Sequence, residues 1–538
     1  MFKKITSLIV LIALVLASAV AFSSCASSKS TSLNDRYNST YPGASSAPAA
    51  SMSNGNSVAP SGGSYYNNVP PYAKVPDAFP DEEYLAIVEN AITDVRIDPL
   101  LTFSLKVDTA SYRNVVRYID SGNLPPADAV RIEEMINYFS YDIPLTPGDA
   151  APFAIYTEIG PSPFDSDNEI AFVRVKTREI DRADLPSCNL TFLIDTSGSM
   201  DSYDKLPLLK TAFSLLVETL TEDDVVSIVT YAGNASVALD SVRGDQKGRI
   251  LDAINGLRAA GSTAGADGIN TAYALAEKNF IKGANNRVLL ATDGDFNVGI
   301  SSVGALESLI RQKRESGIYL TILGFGTENL KDNRMETLAK NGNGNYSYLD
   351  SVAEAQKVLV DEMGSNLYTI ADDVKAQIEF NPVLVESYRL IGYENRMLAD
   401  RDFNDDTKDA GEIGVGTDVV LMFEITRAAN IEYRYQQKER ADHSDELFTV
   451  SIRYKEPGES VSKLISVPVK LESYTDFNSA DFNFAVSVAV FGHLLRASEY
   501  TGSATVERVI ATAMDSIGSD NGGYRKEFID LVKQYMSL

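Results

Sequence analysis

Between residues 187 and 370 short apolar runs alternate with amphipathic helical patterns, and this alternation constrains the fold more than any other feature of the chain. Residues 190–194, 225–230, 288–291 and 319–324 are too short for helices and mainly apolar, as expected of strands buried on both faces of a parallel sheet. Between them, Leu206, Leu209, Phe213, Leu216 and Leu220 recur at three- and four-residue steps. Leu251, Ile254 and Leu257, and then Leu306, Leu309 and Ile310, repeat the pattern. Strands alternating with helices predict a doubly wound α/β domain, in which ligands sit beyond the carboxyl ends of the strands.

Two acids fall at such ends. Asp195-Thr196-Ser197-Gly198-Ser199 follows the first run directly and sets one carboxylate and two hydroxyls at alternate positions. Extended chain with that spacing can turn three oxygens to one point, and hard oxygen donors suit Mg²⁺. Alone, the motif reads equally as a plain Asp/Ser/Gly turn. Thr263 stands in a small-residue loop, Ala260-Gly261-Ser262-Thr263-Ala264-Gly265, and Asp293 follows the run 288–291. Asp295, two residues on, reads as a solvated loop acid.

In order and spacing, Asp195, Ser197, Ser199, Thr263 and Asp293 resemble the metal-ion-dependent adhesion site of von Willebrand factor type A (VWA) domains. The resemblance implies that Ser197, Ser199 and Thr263 contact the metal, Mg²⁺ or else Mn²⁺ or Ca²⁺, while Asp195 and Asp293 act through bound water. It implies further that a protein partner offers a carboxylate to the remaining coordination position. The string VDTASYRNVVRYIDSGNLPPADAVRIEEMINYF, at 107–139, resembles the N-terminal region of a group of bacterial VWA lipoproteins, a likeness that runs from residue 81 to the C-terminus.

Residues 1–24 read as a secretory signal: Lys3 and Lys4 precede an apolar stretch, and Ser23-Ser24-Cys25 resembles a lipobox, with Phe22 in place of the usual Leu. A lipidated Cys25 predicts stable anchoring, since acyl chains contribute about 0.8 kcal/mol per buried CH₂. Residues 25–80 are rich in Ser, Asn, Ala, Gly, Pro and Tyr and read as a disordered tether. The expected location is the bacterial cell envelope, at the periplasmic face of a membrane. With two cysteines in the chain and one lipidated, Cys188 has no internal partner and reads as a small buried hydrophobe. The net charge of −26 repels nucleic acid and anionic headgroups.

The expected organisation is multidomain α/β plus β. An N-terminal α+β region spans 81–150, with a strand at 103–107, a helix from Tyr112 to Ile119 and another over 130–139 opened by Pro125-Pro126; Asp108-Thr109 reads as a helix cap. Strands at 153–159 and 169–176, within 151–186, precede the VWA domain at 187–370. Strands at 374–380, 383–391, 419–425, 447–454 and 464–470, within 371–475, follow it. Strands on both flanks predict one discontinuous β-sandwich with the Rossmann-like VWA domain inserted in it. Residues 476–538 read as helices. The acid-rich 402–412 lacks the central glycine of an EF-hand and reads as a solvated hairpin loop.

Enzyme signatures are weak. The two histidines, His443 and His493, show no H-E-x-x-H pairing, and His493 reads as a satisfied core residue on an apolar helix. Gly261-Ser262-Thr263-Ala264-Gly265 has Thr where a hydrolase elbow needs Ser, and no phosphate-cradling loop is present. The function expected is a non-enzymatic, metal-dependent binding module at the envelope. The alternatives are a structural envelope protein with a non-binding VWA scaffold, or a metal-assisted hydrolase.

Overall fold

A computed structural model describes residues 79–148, 151–262, 265–294, 303–429 and 445–538. The signal segment, Cys25, the tether up to residue 78, Thr263, Asp295 and His443 lie outside the described residues, while Phe79, expected in the tether, sets its ring edge-on to Tyr118 at 5.1 Å.

The alternation in 187–370 becomes a six-stranded sheet among the described residues. Its order is Tyr346–Leu349, Tyr319–Phe325, Asn285–Thr292, Cys188–Asp195, Val225–Tyr231 and Ala235–Arg243. All neighbours are parallel except the last pair. Period-two alternation divides the strand side chains between two cores. Leu190, Phe192 and Ile194 meet Leu209, Phe213 and Leu216 on one face, while Leu193, Val288 and Leu290 meet Ile269, Tyr273 and Ile310 on the other. Ala235–Arg243 is an antiparallel edge strand with most side chains exposed, so no apolar run announces it.

The flanking strands pair as one sandwich. One five-stranded sheet runs Thr93–Asp94, Val385–Ile391, Asp418–Arg427, Asn168–Thr177, Phe153–Pro161, so strands before the parallel α/β domain lie hydrogen-bonded beside strands after it. The second contains Ile413–Gly414, Thr369–Phe380, Glu446–Lys455, Lys463–Lys470 and Leu100–Ser104. Ala171, Val173, Leu421 and Phe423 of the first sheet pack with Ile378, Val450 and Ile452 of the second. The alternate residues Ile170, Phe172, Val420 and Met422 face away, into a helical layer. That layer joins Ala110–Asp120 and Ile132–Ile136 to Ala480–Arg496, Val506–Asp515 and Tyr524–Tyr535. The described residues fall in one compact unit.

Residues 81–148 carry strands and helices, as their patterning predicts, but share out their apolar side chains. Leu101 and Phe103 enter the sandwich core, and Tyr112, Val115 and Met135 enter the helical layer. The strand expected at 103–107 lies at Leu100–Ser104, because the chain leaves the sheet after Ser104 and Lys106 turns inward to donate to the Gly344 carbonyl of the parallel α/β domain. Two further expectations are corrected. Thr109 stands at the head of its helix without a side-chain cap, and the Asp108 carboxylate instead accepts from Tyr346 N at 2.8 Å and Arg396 Nη2 at 2.7 Å. Burial opposes ionisation of Asp108, and Lys106 and Arg396 overcome it, holding the carboxyl below its ordinary range. The 402–412 loop is not solvated throughout: Glu412 is buried, and burial raises its carboxyl well above the ordinary range.

Candidate metal centre

The strand Cys188–Asp195 ends by handing its backbone to the neighbouring strand, Thr196 N donating to the Tyr231 carbonyl at 2.9 Å. Past that point the chain turns tightly. Ser197 N donates back to Asp195 Oδ1 at 2.8 Å, and the hydroxyls of Ser197 and Ser199 come within 3.0 Å of each other. Asp195 and Ser197 are buried, whereas Gly198 and Ser199 are exposed, so the cluster opens to solvent on one side. Gly198 N donates to the Gly261 carbonyl at 3.0 Å, which brings the approach to the Thr263 loop against this turn.

Asp293 follows the adjacent strand Asn285–Thr292. Thr292 Oγ1 donates to Asp195 Oδ2 at 3.4 Å and accepts from Gly294 N at 3.0 Å, tying the two strand ends together. The structure therefore brings Asp195, Ser197, Ser199 and Asp293 to the carboxyl end of one sheet. Burial raises the Asp195 carboxyl to about 6, with Asp293 adding to the rise and Ser197 opposing it.

Sequence reasoning missed two residues. Lys205 Nζ donates to Asp293 Oδ2 at 3.0 Å and to Asn329 Oδ1 at 2.9 Å, and Asn329 Nδ2 donates to the same carboxylate oxygen at 3.2 Å. The lysine stem crosses Gly326, where an added Cβ would stand 2.2 Å from Lys205 Cε. The available signal was a lone lysine just ahead of the apolar helix Leu206–Thr219.

Among the described residues, no three His, Cys, Asp or Glu side chains gather as a metal-ligand group. The candidate centre stands on hydroxyls together with two acids, a hard oxygen donor set that fits Mg²⁺, Mn²⁺ or Ca²⁺. Cys188 is not part of it: its thiol lies buried at the other end of the strand, 2.9 Å from the Tyr368 hydroxyl, and burial pushes it up to about 11.

The family model described as "von Willebrand factor type A domain" matches residues 189–361. A second, "von Willebrand factor", matches 78–171, and "Uncharacterized protein YfbK, C-terminal" matches 365–538. The uncharacterized protein YfbK of Escherichia coli (strain K12) is 44% identical over 463 residues, covering 84% of this chain and 80% of that protein. The chain belongs to the YfbK family of VWA-domain proteins. The likeness to the Escherichia coli protein takes in the flanking regions as well as the type A domain, since it spans 463 residues of this chain. Narrower likeness reaches inter-alpha-trypsin inhibitor heavy chain H3 of Homo sapiens, 28% identical over 178 residues, 31% of this chain and 20% of that one. Among solved structures, a von Willebrand factor type A protein from Catenulispora acidiphila covers 72% of this chain and 92% of its own at 15% identity and a TM-score of 0.39. Type A domains are often metal-dependent modules of protein interaction, and none of these relatives carries an enzyme name.

Proposed function

We propose that this protein is an envelope-anchored binding module that takes a protein carboxylate through a divalent metal held by Ser197, Ser199, Thr263 and, through water, Asp195 and Asp293. The observation that carries the reading is the pair of serine hydroxyls 3.0 Å apart beside the buried Asp195, open to solvent at a strand end. A bound ion there would supply a Lewis-acidic anchor for a partner's carboxylate. Non-enzymatic action is part of the proposal: the turn offers hydroxyls and acids for ligation, and among the described residues no histidine joins them in a metal-ligand group. Among the described residues no helix is long and apolar enough to cross a membrane, and the proposed anchor is lipid on Cys25. Calorimetry with MgCl₂ on the full chain tests the metal. A pull-down from native envelope with Mg²⁺ against chelator, read by mass spectrometry, tests the partner. Absence of Mg²⁺ and Mn²⁺ binding would sink the reading. Cys25→Ser is expected to move the protein out of the membrane fraction, and continued palmitate labelling of the variant would place the lipid elsewhere.

One observation favours a second reading, a structural scaffold that binds no metal: Lys205 already compensates Asp293 from within the protein. On that reading the Mg²⁺ titration is flat.

A further inference from the structure

Lys205 raises a question that the metal-site motif does not answer. A buried lysine placed against an acid of a cation site opposes the cation electrostatically. Its ammonium is nevertheless built in. It is mostly buried, its two hydrogen bonds run to Asp293 and Asn329, and its stem fills the space over Gly326, which has φ of +81°. Asn329 closes the triangle by donating to the same Asp293 oxygen. The loop carrying Asn329 is itself held in place: Glu83 N donates to the Leu330 carbonyl at 3.0 Å, and Asn333 N donates to the Glu83 carbonyl at 3.1 Å.

Charge decides what this arrangement does. Asp195 and Asp293 would exactly neutralise a divalent ion if they stood alone. With Lys205 present, the two carboxylates and one ammonium leave a single negative charge, and a bound divalent ion brings the site to a net charge of plus one. A site with residual positive charge attracts an anion into its open position; a neutral one attracts it far less. We infer that Lys205 is a specificity-determining residue that weakens metal binding and in exchange makes the metal-loaded site select an anionic, carboxylate-bearing partner. The inference rests on the metal-binding reading above and deepens it. Lys205 donates to Asp293 and Asn329 and not to the hydroxyls of the turn, so it acts through Asp293 and through the field at the site.

Opposed changes in two affinities test this. In the full chain, Lys205→Met removes the charge and the donor, and Lys205→Gln removes the charge while keeping an amide that can donate to Asp293. Mg²⁺ affinity is read by calorimetry. Affinity for acetate, the probe carboxylate, is read by displacement of water from the Mn²⁺-loaded protein in proton relaxation. Both variants are expected to bind Mg²⁺ about tenfold more tightly and acetate about tenfold more weakly, the scale of one unit charge removed from a partly solvated site. A lysine with only a structural role would lower both affinities together or leave both unchanged, and either result overturns the inference. Loss of the folded state in both variants assigns Lys205 to structure and overturns it as well. Failure of the wild-type protein itself to bind Mg²⁺ and Mn²⁺ removes the metal reading and this inference with it, and is distinguished because it is seen without any variant.

Discussion

At the scale of single residues, the two site acids differ in what surrounds them, and substitution should separate them. As acids at the mouth of the sheet, both would be removable at little cost, with relief of mutual repulsion; yet both are fully buried, and Lys205 pairs with one of them. Asp293→Ala leaves the ammonium buried without its partner, so metal-free stability should fall by about 3 kcal/mol. Asp195→Asn should act the other way. Burial holds the Asp195 carboxyl at about 6, above its unfolded value, so the folded state binds the extra proton and this group's contribution declines as pH rises between about 4 and 6. Above that window the amide removes the cost of a buried charge while still accepting from Ser197 N, and stability in chelator should rise slightly. Urea unfolding of both variants at pH 7.5 checks the contrast, and equal losses would contradict it. His493 supplies a second test. Its ring stacks edge-on to Phe164 at 4.9 Å, its Nδ1 lies 3.6 Å from Glu89 Oε1, and among the described residues neither nitrogen finds a hydrogen-bond partner of ordinary geometry, so the expected satisfied core residue is corrected to a desolvated one. Burial lowers its pKa, with Glu89 opposing and Arg389 and Arg496 assisting. The unfolded chain therefore binds the extra proton first, and this contribution to stability is lost as pH falls below about 6.5. The imidazole signals in NMR should titrate below that value; a midpoint above it would reverse the sign.

At the scale of elements, the strand Leu100–Ser104 carries more than its length suggests. It pairs antiparallel with Thr369–Phe380, and Leu101 and Phe103 enter the sandwich core. Without it, Thr369–Phe380 would present an unpaired edge along that stretch, a template for association. Phe103 is fully buried and its ring lies 5.3 Å from that of Tyr393. Phe103→Ala should cost about 3–5 kcal/mol and raise the tendency to aggregate, because the cavity opens where the two sheets meet. Urea midpoints and light scattering read both effects. An effect below about 1 kcal/mol would mean that the strand is dispensable.

At the scale of the whole molecule, a buried ionic network ties the VWA domain to what surrounds it. Arg131, from the stretch before the first long strands, places Nη1 2.7 Å from Asp332 of the VWA domain and Nε 2.7 Å from Glu134. Asp332 also accepts from the Tyr346 hydroxyl at 2.9 Å and from Asn114 Nδ2 at 3.3 Å. Arg396, beyond the sandwich strand Val385–Ile391, reaches Asp108 at 2.7 Å and Glu336 of the VWA domain at 3.6 Å. Such a network contributes orientation more reliably than net stability, because desolvation offsets most of the Coulomb gain. Breaking it is another matter. Arg131→Met leaves Asp332 and Glu134 buried without their cation and should cost about 3 kcal/mol or more. It should also split a single unfolding transition into two as the VWA domain uncouples, which calorimetry would show; one undivided transition would place the coupling in apolar contacts instead.

The sequence alone determined the elements and their class, because periodicity and turn chemistry are local. Apolar runs marked the parallel strands, strand-like segments on both flanks marked the sandwich, and Asp195 to Ser199 lay close enough in the chain to be seen as one ligand turn. It also placed strands on both flanks of the VWA domain, which implied their pairing. What only the tertiary structure decided are the partners of charges: Lys205 with Asp293, Arg131 with Asp332, and Asp108 with Arg396. Each pair joins positions far apart in the chain, and neither member carries a periodicity or a turn signal that would disclose the other. The exposed edge strand Ala235–Arg243 escaped for a related reason, since an edge holds its place by backbone hydrogen bonds, which leave little trace in side-chain composition.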